Sequence, residues 1–422
     1  MTTTIQEPAQ TIPVAGVFDV IVVGGGIAGV AAAVAAARRG ARTALIEKEY
    51  GLGGLATLGN ILVYLPLCDG MGRQVIGGIA EELLKLSARD VVAAAPQMTL
   101  SPIPDCWQSE ASVEDRREKR YVCRFNPASL MLEMEALIVR EGVTLFYDTR
   151  FCCCIKSNNL LSHVIVENKS GRLALQAGAF VDASGDADLC AAAGEESEAL
   201  DSNVLCGWNF WTIDGQVKLQ VLSNPYDSQC GKGNGARGPF FCGHKGKDVT
   251  QHVLASRQLL REKLETLRRE NPDKAIYPFQ LATIASLRAT RRLRSRFSLG
   301  EQHVHQWFDD TIALTGDWRK NGPVYALPYR TIHGESTANL FVAGRCISAD
   351  TTVWDVTRVI PTCAVTGEAA GAAAAISALE HQGDGDAVDI AALQQYLRAQ
   401  GGLLEPELVT RAQPLALVTQ TD

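Results

Sequence analysis

Asp19–Val23 begins with one acid and continues as an unbroken β-branched run, the pattern of a strand buried on both faces. The run stops at Gly24-Gly25-Gly26. From Ile27 to Arg39 the chain is almost all alanine, which predicts a helix, and Gly40 follows where a helix-ending glycine belongs. Thr43–Glu47 predicts a second buried strand. Between Val14 and Ala37 only Asp19 is charged, yet strand, turn and helix are not one membrane-spanning segment.

Further along, Ile79–Leu86 and Pro127–Glu141 predict helices and Val143–Tyr147 a strand. Phe151–Ile155, His163–Glu167 and Leu173–Gln176 are separated by turns at Ser157-Asn158-Asn159 and Lys169-Ser170-Gly171, which predicts a three-stranded meander. Ala179–Ala183 returns to a buried strand. A second block holds a Gly-rich loop, a charged helix over Val253–Glu270 and a basic helix near Leu281–Arg296. Leu340–Ala343 predicts a last buried strand, Thr366–Leu379 an Ala/Gly helix and Ile390–Ala399 a short terminal one.

The chain has 422 residues, enough for two domains, with 46% hydrophobic and 21% charged residues and a formal net charge of -7. That balance argues against a nucleic-acid partner. The N-terminus lacks a basic leader region and predicts a disordered start over 1–17. The 12 cysteines include no CxxC, which argues for reduced, mostly buried thiols in a cytoplasmic protein over a disulfide or zinc framework.

Gly24-Gly25-Gly26-Ile27-Ala28-Gly29 is a GxGxxG turn directly after a strand. Its glycines would serve a tight turn, close approach to a pyrophosphate and close helix–strand packing. The helix start would face the phosphates with free N–H groups. Glu47 ends the next strand where a carboxylate would accept the hydroxyls of an adenosine ribose. A second match, Gly233 to Gly238, has no strand before it and Pro239 after it, so it predicts a loop and no second nucleotide fold.

Four further stretches extend the likeness: Lys48-Glu49-Tyr50-Gly51-Leu52-Gly53-Gly54-Leu55-Ala56-Thr57, Val181-Asp182-Ala183-Ser184-Gly185-Asp186-Ala187-Asp188, Phe341-Val342-Ala343-Gly344-Arg345-Cys346, and Arg358-Val359-Ile360-Pro361-Thr362-Cys363-Ala364-Val365-Thr366-Gly367-Glu368 with the alanines beyond. With these the chain resembles, from about Phe18 to Gly401, the FAD-dependent oxidoreductases of the glutathione-reductase type, in the subgroup with a single dinucleotide-binding fold. The resemblance implies FAD as cofactor. It implies contacts from Gly24, Gly26, Ile27, Ala28, Gly29 and Glu47 of the first unit, and from Lys48, Gly53, Gly54, Ala56 and Thr57 of the following loop. It adds Ser184, Gly185 and Asp186 of the strand-end turn, Gly344 and Arg345, and Thr366 and Gly367. Read from the residues alone, Thr366 would cap the last helix and Gly367 would let its backbone approach a flat ligand, with tight packing through small residues as the alternative, and both can hold at once.

The fold expected is α/β. A Rossmann-like FAD-binding domain with a β-meander is assembled from 18–60, 126–195 and 338–382. An inserted α+β substrate domain comes from 61–125 and 196–337, and 383–422 forms a C-terminal helix and tail.

Asp355 and Arg358 lie between two cofactor-like stretches and are the leading catalytic candidates. Arg358 would hold an oxyanion or carboxylate and Asp355 would take a proton, with structural pairing of the two as the alternative. Trp354-Asp355-Val356-Thr357 departs from the small residues that the resemblance implies before that arginine. Tyr329 is a third candidate, in a Tyr325 to Arg330 stretch that resembles the family's, with core packing as the alternative. No His or Cys lies in Gly53–Gly59, so the flavin is expected to be non-covalent; Cys346 and Cys363 are the nearest thiols. His303 and His305 would share a strand face without a third ligand, so no metal is expected. Partners would be a small-molecule substrate and an unidentified electron donor or acceptor, with no membrane. An isomerase or lyase using FAD without net redox change and an electron-relay subunit are the rival readings.

Overall fold

The computed structural model describes residues 4–91, 100–202, 208–222 and 239–410; the second glycine-rich stretch, Gly233 to Gly238, lies outside them. The opening unit is β1 (Val14–Val23), α1 (Ile27–Arg38) and β2 (Thr43–Ile46), with β1 and β2 parallel. β1 starts five residues earlier than its apolar run, because Val14–Phe18 pair with Ala174–Ala177. Part of the stretch expected to be a disordered start is therefore strand.

After α2 (Ile79–Ser87) and α3 (Pro127–Arg140) come β3 (Thr144–Phe146), β4 (Arg150–Ser157), β5 (Leu160–Asn168) and β6 (Gly171–Asp182). Sequence pattern divides β6 into two strands at Ala177-Gly178. The structure keeps it as one 12-residue strand. Gly178 makes no turn; a Cβ there would come within 3.2 Å of Ala378 Cβ, so the glycine admits a helix passing over the sheet. β6 joins the two halves of the sheet. One edge pairs with β1 along its length; the other pairs first with β5, antiparallel, and then with β7 (Leu340–Val342), parallel. The sheet order is β3-β2-β1-β6-β5-β4, with β7 beside β6.

The last core helix, α4, runs from Ile360 to Glu380, six residues earlier than expected. Pro361 occupies the first turn, where the missing N–H costs nothing. α4 is long and apolar enough to cross a membrane, and 83% of its apolar window is buried inside the protein, which is the position of a core helix.

The inserted segment carries a three-stranded antiparallel sheet (Trp208–Ile213, Gln216–Val221, Ile276–Gln280), the helix Gly246–Glu270 and the hairpin Thr311–Gly316 with Val324–Pro328. The basic helix expected near Leu281–Arg296 is absent. Arg291–Leu293 is instead a short strand paired with Ser197–Ala199. Its arginines take separate tertiary partners: Arg291 bonds Asp188, while Arg292 lies over the Trp354 ring at 4.2 Å and bonds Glu198. Alternating partners on two sides suit a strand, and tertiary contacts override the helix propensity of arginine.

Of the described cysteines, five are buried, Cys153 is exposed and the others lie between, so the thiols are less uniformly buried than expected; none of the described ones forms a disulfide.

Candidate functional site

The first glycine turn divides its tasks in a way the coordinates make explicit. Gly24 has φ +103°, and a Cβ on it would stand 2.5 Å from the Ala183 carbonyl oxygen. A Cβ on Gly29 would stand 1.7 Å from the Gly24 oxygen. Both glycines are required by the protein's own packing. Gly26 differs: its φ is -66° and a Cβ there would meet nothing within 4 Å. It faces open space at the start of α1, where Ile27 and Ala28 form the first turn and no side chain caps the helix. Uncapped N–H groups beside an open cradle suit a phosphate. The following loop is tied down behind this turn: Gly53 N–H donates to the Gly25 carbonyl at 2.8 Å, and Thr57 Oγ1 donates to the Leu52 carbonyl. Gly53 and Gly54 both have positive φ, and Ala56 is buried in the short helical turn they open.

Glu47 is buried at the end of β2. Its Oε2 accepts Gly25 N–H at 2.7 Å and its Oε1 accepts Glu49 N–H at 2.8 Å. Burial holds its carboxyl above the usual range, against the lowering effect of those two N–H groups. The carboxylate braces the glycine turn and retains lone pairs for a ribose hydroxyl. Lys48 beside it is exposed.

The turn after β6 is also braced. Asp182 is fully buried, accepting Ser184 N–H and Oγ–H and Cys190 N–H. Gly185 has φ +80°, and its carbonyl accepts from Arg345 Nε. Arg345 also bonds Asp186 and the Leu287 carbonyl, each at 2.8 Å. Arg345, expected as a cofactor contact, therefore clamps the strand-end turn to the inserted segment.

Two further expectations change. Thr366 does not cap α4. It lies inside the helix, its hydroxyl donating to the Thr362 carbonyl and accepting Gly344 N–H at 3.0 Å. Gly367 does not face a flat ligand. A Cβ there would stand 2.2 Å from the Ala28 oxygen, and one on Gly371 would stand 2.0 Å from the Ala32 oxygen. The two glycines let α4 pack in parallel against α1. Because Gly367 lies opposite Ala28, the seven residues of α4 before it project about two turns, ~10 Å, beyond the start of α1. That projecting end also lacks a side-chain cap. Two helix starts, offset along a common direction, thus open on one side of the sheet, at the carboxyl ends of its parallel strands.

Asp355 and Arg358 stand at the projecting end, in and just after the short helical turn Trp354–Thr357. Arg358 Nε and Nη2 donate to Asp355 Oδ1 at 2.9 and 2.5 Å, and both side chains are largely buried. Trp318 Nε1 donates to the Asp355 carbonyl, and Thr315 and Thr362 share a 2.7 Å hydrogen bond. Beside them Arg319 grips Asp317 through two 2.7 Å bonds, and that guanidinium holds the Asp317 carboxyl below its ordinary range despite burial. Cys363 is pushed up to about 12 and Cys346 well above its ordinary value, both by burial first, so both sulfurs are held as thiols.

Tyr329 does not join this group. It is buried, its hydroxyl donates to the Gly385 carbonyl at 2.7 Å, and its ring stacks on His333. Gly385 in turn bonds Ala338, ahead of β7, whereas the glycine turns lie beyond the strands' other ends. Tyr329 is a packing residue. His303 and His305 share no strand: His303 ends a helical turn and accepts Gly300 N–H, while His305 has φ +61° and bonds the Val409 carbonyl. Among the described residues no group of three or more His, Cys, Asp or Glu could hold a metal ion.

Sequence reasoning missed two residues. Asn60 is fully buried at φ +55°; its Nδ2 donates to the Trp208 carbonyl and its Oδ1 accepts from Gln280, so it ties the inserted sheet to the loop that begins at Gly53. The Gly59-Asn60 pair was its signal, a dipeptide that favours left-handed turns. Glu368 is buried inside α4 and accepts Ile79 N–H, the start of α2, at 3.1 Å.

These features define a dinucleotide-binding protein of the flavoprotein type: an open glycine cradle, a braced ribose-side acid and a second uncapped helix start about 10 Å further on. The residues fit FAD. The family model for FAD dependent oxidoreductases matches residues 19–203 and 229–397, and the chain belongs to that family. It is an FAD-dependent oxidoreductase.

Over 84 residues the chain is 32% identical to a thioredoxin reductase of Ureaplasma parvum, a match covering 20% of this chain and 27% of that one. Among solved structures, it is similar to a geranylgeranyl bacteriochlorophyll reductase-like protein from Thermoplasma acidophilum, with a TM-score of 0.43 and 14% identity over 91% of this chain and 83% of that one. It is likewise similar to p-nitrophenol 4-monooxygenase from Pseudomonas putida, with a TM-score of 0.45 and 11% identity over 90% of this chain and 83% of that one.

Proposed function

We propose that the protein transfers hydride between a small organic substrate and FAD at the projecting end of α4, and that a second, separate partner restores the cofactor. The offset between the starts of α1 and α4 supports this reading: with its pyrophosphate held at Gly26, the far part of the cofactor would extend toward the start of α4, where the Asp355–Arg358 pair stands. Bound FAD supplies a two-electron acceptor. In the oxidative direction Asp355 would take the O–H or N–H proton of the substrate while a C=O or C=N bond forms, with FAD as the acceptor of the C–H electron pair. Arg358 orients the substrate heteroatom, and Asp355 fixes the plane of its guanidinium. The uncapped start of α4 would favour negative charge placed beside it.

In the same reading the chain is of the glutathione-reductase type with a single dinucleotide fold. The FAD domain comprises 18–60, 126–195 and 338–382, and the inserted segments form the substrate roof. The setting is cytoplasmic. Anaerobic mixing of the FAD-loaded protein with a library of small alcohols, amines and acids tests the reading, with flavin bleaching as readout. A substrate that bleaches wild type and not Arg358→Ala supports it; turnover without any redox change of the flavin favours the isomerase or lyase alternative.

A further inference from the structure

We propose that the substrate binds as an uncharged molecule, an alcohol or its carbonyl counterpart, and not as a carboxylate. The inference rests on the placement of the Asp355–Arg358 pair beside the flavin. Its grounds are the charge arrangement at the projecting end of α4, where Arg358, Arg319 and Arg345 are each paired with a carboxylate.

Arg358 commits Nε and Nη2 to Asp355, at 2.9 and 2.5 Å, with side chains 12% and 8% exposed. Arg319 grips Asp317 through a two-pronged contact in which the aspartate side chain is 1% exposed. Its charge is felt by Asp355 as well. Arg345 is paired with Asp186. The pairs are held by the surrounding frame, Trp318 on the Asp355 carbonyl and Thr315 on Thr362. Arg358, offered by the sequence as the holder of an oxyanion or carboxylate, is therefore charge-balanced, as are Arg319 and Arg345.

A substrate carboxylate could enter in two ways. It could displace Asp355 from Arg358, leaving a mostly buried aspartate without its cation, or it could lie beside Asp355 with like charges in contact in a site of limited solvent access. Both are strongly opposed. A hydroxyl or carbonyl oxygen can accept an N–H from an arginine whose charge is already balanced, without displacing its partner. Asp355 thus sets specificity by standing where a substrate carboxylate would otherwise bind.

The test uses the FAD-loaded full chain and follows the visible spectrum of the oxidised flavin. Benzoate and benzamide serve as a charged and an uncharged probe of like shape, with succinate and succinamide as a second pair. In wild type the amides are expected to bind at least ~10-fold more tightly than the acids. Asp355→Asn should tighten the acids by at least ~10-fold and leave the amides nearly unchanged, and Asp355→Asn with Arg358→Ala should lose the gain. Acids binding wild type more tightly than amides would overturn the inference, as would Asp355→Asn leaving acid affinity unchanged. If Asp355→Asn fails to hold FAD, the wild-type comparison decides alone; if wild type responds to neither probe, the Asp355→Asn titration decides. Should Asp355→Asn and Arg358→Lys both leave the flavin spectrum and potential at wild-type values, the placement beside the flavin fails, and the inference with it.

Discussion

Gly367 rests on the carbonyl oxygen of Ala28, so closely that a Cβ at 367 would stand 2.2 Å from it. This contact, repeated one turn on by Gly371 at Ala32, fixes how far α4 projects past α1 and so sets the spacing of the two helix starts. Gly367→Ala should push the helices apart, costing about 1–3 kcal/mol of stability, as overpacking in a tight core does. It should also weaken FAD binding in proportion, because the offset is the cofactor's frame. Thermal melts with and without added FAD, together with an FAD titration, check this. A variant with wild-type melting temperature and FAD affinity would contradict the packing account.

Glu368 carries a pH signature. Burial raises its carboxyl to about 8, with Ile79 N–H and Arg38 opposing the shift and Glu82 adding to it; Tyr396 also faces it. The folded state therefore holds this proton to higher pH than the unfolded state. The stability it contributes is present below the ordinary value of 4.5 and is lost as pH rises through about 8. Glu368→Gln keeps an acceptor for Ile79 N–H and removes the titration. Its melting temperature should exceed that of wild type at alkaline pH, and the difference should shrink as pH falls. Parallel melting curves across that range would show that Glu368 is not the titrating group.

The sequence revealed most where one period served one environment. The second half of β1, most of α1, and β2 are buried nearly all round and read as apolar runs with glycine punctuation. Where one residue type serves two purposes, the reading failed. Gly178 looks like a break in β6 yet admits a helix. The arginines near 291 suggest a helix face but are drawn apart by Asp188 and Glu198. The glycine turn and Glu47 were legible because their order along one strand–turn–helix–strand unit is a short sequence pattern. The partners of Arg345, Gly367 and Tyr329, which are Asp186, Ala28 and Gly385, are distant in sequence and could not be read from it. Glu368 did leave a trace, as the one charged residue between Thr366 and Leu379.

Arg358→Ala should leave FAD affinity within a few-fold of wild type and slow substrate-dependent flavin bleaching by roughly a hundredfold, the usual loss of one charge-assisted contact in a closed site. Stopped-flow reduction with the substrate found by library mixing checks this. Equal rates with a lowered melting temperature would make the pair a structural brace.

The flavin should leave the polypeptide intact on acid denaturation. Burial pushes Cys363 up to about 12 and Cys346 well above its ordinary value, so neither presents the thiolate that attachment requires. Flavin absorbance in the protein pellet after acid precipitation would contradict this and point to one of those sulfurs.

Gly26 gives the most direct test of the whole account. It has ordinary backbone angles and open space where a side chain would go, so Gly26→Val should fold, unlike substitutions at Gly24 or Gly29. Its side chain would fill the cradle assigned to the pyrophosphate. The measurement is the ratio of acid-released FAD to protein in purified Gly26→Val, beside its circular dichroism and melting curve. A folded, colourless protein is the predicted result; a folded protein with wild-type FAD content would contradict the assignment of the cofactor site.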